Sequence, residues 1–267
     1  MNVKETKLFL QELHTFPRKH LGQNFLINSQ LSRKIVCEVK QTKGPWIEIG
    51  PGSGALTRLF SEEEKKILTL IEKDKKIANY WKEKNYSVLM QDALKIHWTK
   101  LPYFTTLFGN LPYQIAGPLL LKTSVFSKQM DTMILMMQKE VSLRVRAKPK
   151  TKDYGLLSVI AQTFWHIQWI AEAGTQDFYP PPKVAGHVLR FQAKISPVPG
   201  NEFLTFLKSC FAQRRKKLIH RLPISLSQAE TLLSEINRNT NTRAEELTPE
   251  EFIFLFQEIQ SRKSSQD

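Results

Sequence analysis

The sequence predicts an α/β fold: a mainly parallel sheet covered by helices on both faces, followed by a small all-α domain. Three observations predict it. From Trp46 onward, short apolar runs alternate with helical patterns. The stretch Ser196-Pro197-Val198-Pro199-Gly200 breaks the chain, and beyond it every pattern is helical. At 267 residues the chain exceeds one average domain, in keeping with a division into 1–197 and 198–267.

The elements follow in order. Residues 1–25 read as an irregular basic arm ending in Arg18-Lys19-His20-Leu21-Gly22-Gln23-Asn24-Phe25. Leu31, Ile35 and Val39 recur every four residues after Asn28 and Ser29, the pattern of a capped amphipathic helix. Strands are expected at 46–50, 67–71, 87–90, 105–109 and 131–137, with helices at 54–63, 74–84, 116–127 and 139–147. Two further strand-like runs, 164–171 and 186–193, have no helix between them, so the sheet should close with an antiparallel hairpin. Past residue 198, apolar residues at Phe203, Leu204, Leu207 and Phe211, then in 218–222, 226–236 and 252–259, predict a helical bundle.

Charge narrows the partners. The net charge is +14, with 29 Lys/Arg against 16 Asp/Glu in 1–197 and 10 against 9 in 198–267. Such an excess attracts polyanions, either nucleic acid or an anionic membrane. Two local clusters favour phosphate: Arg144, Arg146, Lys148, Lys150 and Lys152, and Arg214, Arg215, Lys216, Lys217 and Arg221. Pro149 interrupts the first, which reads as a mobile basic loop. Cys37 and Cys210, the only cysteines, sit in apolar helical patterns and read as buried reduced thiols, with no metal or disulfide framework. The start lacks a signal-peptide pattern and the apolar runs are too short to span a bilayer, so a soluble cytoplasmic protein is expected.

The chemistry concentrates at strand ends. Gly50, Gly52 and Gly54 follow the strand ending in Glu48-Ile49 and precede a helix, as in nucleotide-binding turns. Pro51 removes an amide donor from any phosphate cradle, and Glu48 opposes a phosphate. An acidic residue there suits the cationic head of S-adenosylmethionine better than the pyrophosphate of NAD. Glu72 ends the next strand, where a carboxylate can accept both ribose hydroxyls, and Asp92 ends the third. Asn110-Leu111-Pro112-Tyr113 ends the fourth. Proline makes this corner rigid, and the Asn110 side chain and Leu111 main chain offer two carbonyl oxygens beside the flat Tyr113 ring. Two acceptors and a stacking surface are what an exocyclic aromatic amine requires. Phe178 supplies a second stacking face or fills the core.

These segments resemble the small-subunit ribosomal RNA adenine dimethyltransferases of the KsgA type. The resemblance runs from about Arg18 to Leu247 and includes Leu21 to Leu26, Glu48 to Gly54, Glu72, Gln91-Asp92-Ala93 and Gly109 to Tyr113. It continues in Gln138 to Val141, Tyr179 to Val184 and Gln213 to Lys216. It implies a Rossmann-like S-adenosylmethionine-dependent methyltransferase domain and a helical RNA-binding domain. It implies that Asn24 and Leu26 close over the methyl donor, which Gly50, Glu72, Asp92 and Asn110 also contact; Gly52 and Glu48 join them from the loop reading. Two adjacent adenines near the 3′ end of 16S rRNA would each receive two methyls, in a ribosomal subunit or assembly intermediate and by a monomer. Lys73, between Glu72 and Asp74, departs from the apolar residue common in the family. Two alternatives stay open: a large-subunit (23S) rRNA methyltransferase of antibiotic-resistance type, and a non-catalytic ribosome-assembly or transcription factor on the same fold.

Overall fold

The computed structural model describes residues 1–18, 21–100, 102, 105–112, 114–126, 130–213 and 216–264. These form two compact units, Met1–Ser142 with His166–Ala193, and Leu143–Trp165 with Lys194–Asp267. The sequence reading cuts the chain once, at 197/198; the units are instead interleaved along the chain.

The first unit begins with a helix where an irregular arm is expected. Helix α1 (Val3–Glu12) is started by a capping box, in which the Asn2 side chain accepts from the Glu5 amide and Glu5 accepts from the Asn2 amide. Its Thr6, Phe9 and Leu10 are buried, and Phe9 meets Tyr80 edge-on at 5.0 Å. The polar residues that suggest an arm occupy its solvent face. A two-residue strand β1 (Phe25–Leu26) follows, then α2 (Ser29–Lys40), capped by Asn28 and buried through Leu31, Ile35 and Val39 as the periodicity predicts. Cys37 lies off that stripe and is exposed rather than buried; Cys210 is buried.

The sheet carries β2 (Trp46–Ile49), β3 (Leu68–Glu72), β4 (Ser87–Met90), β5 (Thr105–Asn110), β6 (Met130–Gln138), β7 (Trp165–Ala173) and β9 (Gly186–Ala193). Its order is β4-β3-β2-β5-β6-β9-β7. The first five strands run parallel, and β9 runs antiparallel to β6. The hairpin-like closure expected from the last two strand runs thus appears as β9 beside β7. Between β2 and β3 the expected single helix over 54–63 is replaced by a 3-10 turn at Thr57–Leu59 and a short helix α3 (Glu62–Lys65). Phe60 is extended, and Ser61 caps α3 through a box with Glu64, so the helical pattern restarts instead of continuing. Helices α4 (Lys75–Glu83) and α5 (Ala116–Val125) follow β3 and β5. A second small sheet pairs β1 with β8 (Phe178–Tyr179), Leu26 opposite Phe178.

Helix α6 (Lys139–Val145) leads into the second unit, which adds α7 (Leu156–Phe164), α8 (Gly200–Phe211), α9 (Leu226–Glu235) and α10 (Pro249–Ser264). Its core is aromatic: Phe203 lies 5.4 Å from Phe256 and 6.4 Å from Phe164, and Phe211 is 5.4 Å from Phe252. Among the described residues, no helix is long and apolar enough to cross a membrane.

Candidate functional site

One cavity in the first unit gathers most of the predicted residues. Asn24, Leu26, Glu48, Gly50, Gly52, Glu72, Asp92, Asn110, Leu111 and Phe178 all line it. It sits at the carboxyl ends of the parallel strands, where open α/β sheets bind ligands. Tyr113 lies outside the described residues.

Strand β2 is buried along its whole length, and Glu48 is only 1 % exposed. Burial pushes its carboxyl up to about 8, against a hydrogen bond donated by Thr57 Oγ1 at 2.8 Å; the neighbouring Glu72 adds to the rise. Burial likewise carries Glu72 up to about 7, opposed by the Asp74 amide, which donates to its Oε1 at 2.8 Å. The glycine loop turns through positive φ at Gly50 (67°) and Gly52 (52°), conformations that favour glycine. A Cβ at Gly50 would meet nothing within 4 Å, so the loop leaves space on its cavity side. Ser53, in the same loop, holds a buried hydroxyl without a hydrogen-bond partner among the described residues. An unpaired buried hydroxyl costs on the order of 1–3 kcal/mol, which a polar ligand group in the loop can remove.

Asp92 sits in a different environment. Burial raises its carboxyl, but the Lys73 ammonium at 2.9 Å, the Leu94 amide and the charge of Lys95 outweigh that and hold it below the usual range.

Asn110 ends β5 with its side chain fixed: Nδ2 donates to the Asn24 carbonyl at 2.9 Å, leaving Oδ1 as the acceptor. The Leu111 amide donates to the Met136 carbonyl at 2.9 Å. Gly109 lets this corner approach β2, since a Cβ there would lie 2.4 Å from the Ile49 carbonyl oxygen. The β1–β8 pair brings Leu26 and Phe178 together on the cavity wall, and Phe178 is 4 % exposed. Gln23 braces the preceding loop: its Oε1 accepts from the Arg18 amide at 2.9 Å and its Nε2 donates to Asp74.

Sequence reasoning missed Thr57 as the partner of Glu48, and Gln114 and Lys73 as lining residues. For Thr57 the signal is absent, because only the fold of the loop brings it back onto β2. Lys73 carries a signal, its position between two acids.

The donor set fits S-adenosylmethionine. Glu48 and Glu72 can meet a cation and hydroxyls, Asp92 can meet an amine, and the loop has room and an unpaired hydroxyl. Among the described residues no group of three or more His, Cys, Asp or Glu is placed to hold a metal ion.

In the second unit, Arg144, Arg146, Lys148, Lys216 and Lys217 are exposed; Arg214 and Arg215 lie outside the described residues. The segment 242–245 joins the two clusters. The Leu218 amide donates to the Thr242 carbonyl, Lys217 bridges Arg243, and the Lys150 amide donates to the Glu245 carbonyl at 2.8 Å. The basic loop expected to be mobile is therefore tied down, also by Gln162 Nε2 on the Val145 and Ala147 carbonyls and by Tyr154 Oη on the Leu247 carbonyl.

Comparison with known proteins agrees with this chemistry. A profile of the family described as ribosomal RNA adenine dimethylase matches residues 15–261. The chain is 42 % identical over 252 residues to the ribosomal RNA small subunit methyltransferase A of Bdellovibrio bacteriovorus, covering 90 % of this chain and 91 % of that one. It is 34 % identical to the protein of that name from Wolbachia pipientis wMel, over 97 % and 93 %. Among solved structures, a dimethyladenosine transferase from Plasmodium falciparum aligns with a TM-score of 0.74 at 22 % identity, over 90 % and 98 %. The 23S rRNA methyltransferase ErmE aligns at 0.63 and 22 %, over 89 % and 100 %. At those identities the two structures speak to the fold alone.

Proposed function

Because the chain belongs to the ribosomal RNA adenine dimethylase family, we propose that it dimethylates the exocyclic amines of two adjacent adenines near the 3′ end of 16S rRNA. It acts in the cytoplasm on a small ribosomal subunit or its assembly intermediate, with S-adenosylmethionine as donor. The observation that carries this reading is the fixed Asn110 side chain, which lines the cavity with Nδ2 committed to Asn24.

S-adenosylmethionine supplies an electrophilic methyl on a positively charged sulfur. The protein's part is to hold the acceptor. An adenine amine is a weak nucleophile because its lone pair is delocalised into the ring. Asn110 Oδ1 and the Leu111 carbonyl accept its two hydrogens and favour a pyramidal nitrogen. Phe178 and Tyr113 stack on the base; such stacking contributes about 1–3 kcal/mol per base, comparable with the cost of flipping an adenine out. Positioning and preorganised dipoles supply the acceleration, without a covalent enzyme intermediate. The methylated nitrogen, transiently cationic, is acidic enough to release its proton to water. Arg144, Arg146, Lys148, Lys216 and Lys217, with Arg214 and Arg215, contact RNA phosphates.

Incubation with labelled S-adenosylmethionine and unmethylated small subunits, large subunits or naked RNA tests the reading. Label in the small subunit is expected. Label confined to the large subunit would select the 23S-directed alternative, and no label the non-catalytic one.

A further inference from the structure

We propose that Lys73 is a positioning residue of the cofactor site: its ion pair fixes the Asp92 carboxylate that selects the amino group of the donor's purine. This rests on the methyl-donor reading above. Strand order sets the geometry. The ends of β5, β2, β3 and β4 carry Asn110, Glu48, Glu72 and Asp92 in that spatial sequence. Neighbouring strands lie about 4.8 Å apart, so the row spans roughly 14 Å. An elongated nucleoside joined to an amino acid fits such a row, with its central sulfonium methyl facing Asn110 and its base at the outermost strand end. The base therefore falls to Asp92, and a carboxylate that accepts hydrogen bonds distinguishes a purine amine from a purine carbonyl.

Both oxygens of Asp92 are held. Oδ1 accepts from the Leu94 amide at 2.9 Å and Oδ2 from Lys73 Nζ at 2.9 Å. A carboxylate oxygen has two acceptor positions, so the carboxylate is locked in orientation yet keeps capacity for a ligand. Leu94 lies two residues along the same turn, whereas Lys73 reaches across from the end of β3 and itself lines the cavity. The Lys73 side chain is 59 % exposed. Ion pairs so exposed contribute little to folding. The pair's effect should therefore appear in ligand selection rather than in stability.

The test is calorimetric binding of S-adenosylhomocysteine and of its inosyl analogue, in which a carbonyl replaces the purine amine. The unsubstituted protein, Lys73→Met and Lys73→Arg are compared, with thermal unfolding of each ligand-free protein. The unsubstituted protein should prefer the adenosyl ligand. In Lys73→Met, which keeps the length of the side chain, adenosyl binding should weaken about fivefold, the scale of one hydrogen bond. Inosyl binding and the unfolding temperature should stay unchanged, and Lys73→Arg should restore the preference. Equal weakening of both ligands, or an unaltered preference in Lys73→Met, would overturn the inference while leaving the methyl-donor reading intact. Failure of the unsubstituted protein to bind either ligand would overturn both.

Discussion

Glu48 and Asp92 line the same cavity, yet burial carries Glu48 up to about 8, whereas Lys73 and the Leu94 amide overcome burial at Asp92 and hold it low. At neutral pH the β2 end of the cavity therefore holds a protonated carboxyl and the β4 end an ionised carboxylate. The difference teaches how one row of acids can be read. Where the fold gives an acid a neutral hydroxyl, as Thr57 does for Glu48, its charge waits for a cationic ligand. Where the fold supplies an ammonium, the charge is in place beforehand and serves to orient.

The largest expected effect lies at Asn110, where the proposed reading puts the reaction. Asn110→Ala removes an oriented acceptor without altering either carboxylate, and should lower kcat about 10²–10³-fold, by analogy with loss of one preorganised polar contact. Donor affinity should weaken only a few-fold, through loss of the Asn24 contact. Single-turnover assays with saturating donor measure this, and turnover near the original rate would remove Asn110 from the chemistry.

Next comes the pH response that separates the two carboxyls. A cationic ligand favours ionised Glu48, so binding releases a proton and affinity rises with pH up to about 8, by about tenfold per pH unit for one linked proton. Calorimetry in buffers of different ionisation enthalpy should find that proton for the unsubstituted protein and not for Glu48→Gln. If both release it equally, the contrast between the two ends is wrong.

The same shift has a stability counterpart. Burial lifts the folded Glu48 carboxyl from its ordinary 4.5 to about 8, so the folded state binds more protons between those limits and stability falls as pH rises through them. Glu48→Gln should unfold at a higher temperature than the unsubstituted, ligand-free protein at pH 8.5 and at nearly the same temperature at pH 4. A variant less stable at both pH values would show that Glu48 is held mainly by its packing.

The smallest effect is expected at Phe178. Phe178→Leu keeps apolar bulk but removes the ring, and should raise KM for RNA roughly fivefold, the low end of one stacking contact. Donor affinity measured alone should hold. An unchanged KM would leave Phe178 as core filling.

Much of this was legible from strand periodicity. Glu48, Glu72, Asp92 and Asn110 each follow an apolar run short enough to be a strand, and a parallel sheet brings such ends together whatever the loops do. What escaped depends on pairings without a local pattern. β1 and β8 are two residues each, too short for alternation, and join positions about 150 residues apart. α1 was hidden because its buried stripe is only Thr6, Phe9 and Leu10 amid charges. The 54–63 segment kept helical spacing, but Ser61 and Glu64 formed a cap that restarted it. Pro149 suggested looseness, and only the fold reveals that Glu245 and Gln162 hold the flanking backbone.

The bare backbone at Gly109 carries a last consequence. Because the strand leading to Asn110 abuts the main chain at Ile49 with no side chain between them, main-chain atoms set the gap between the glycine loop and the Asn110 corner, the donor and acceptor sides in the proposed reading. Substitutions around the cavity wall can retune how firmly either substrate is gripped while that spacing stays put. A methyl group at position 109 would act as a shim, spreading the two strands and lengthening the jump the carbon must make.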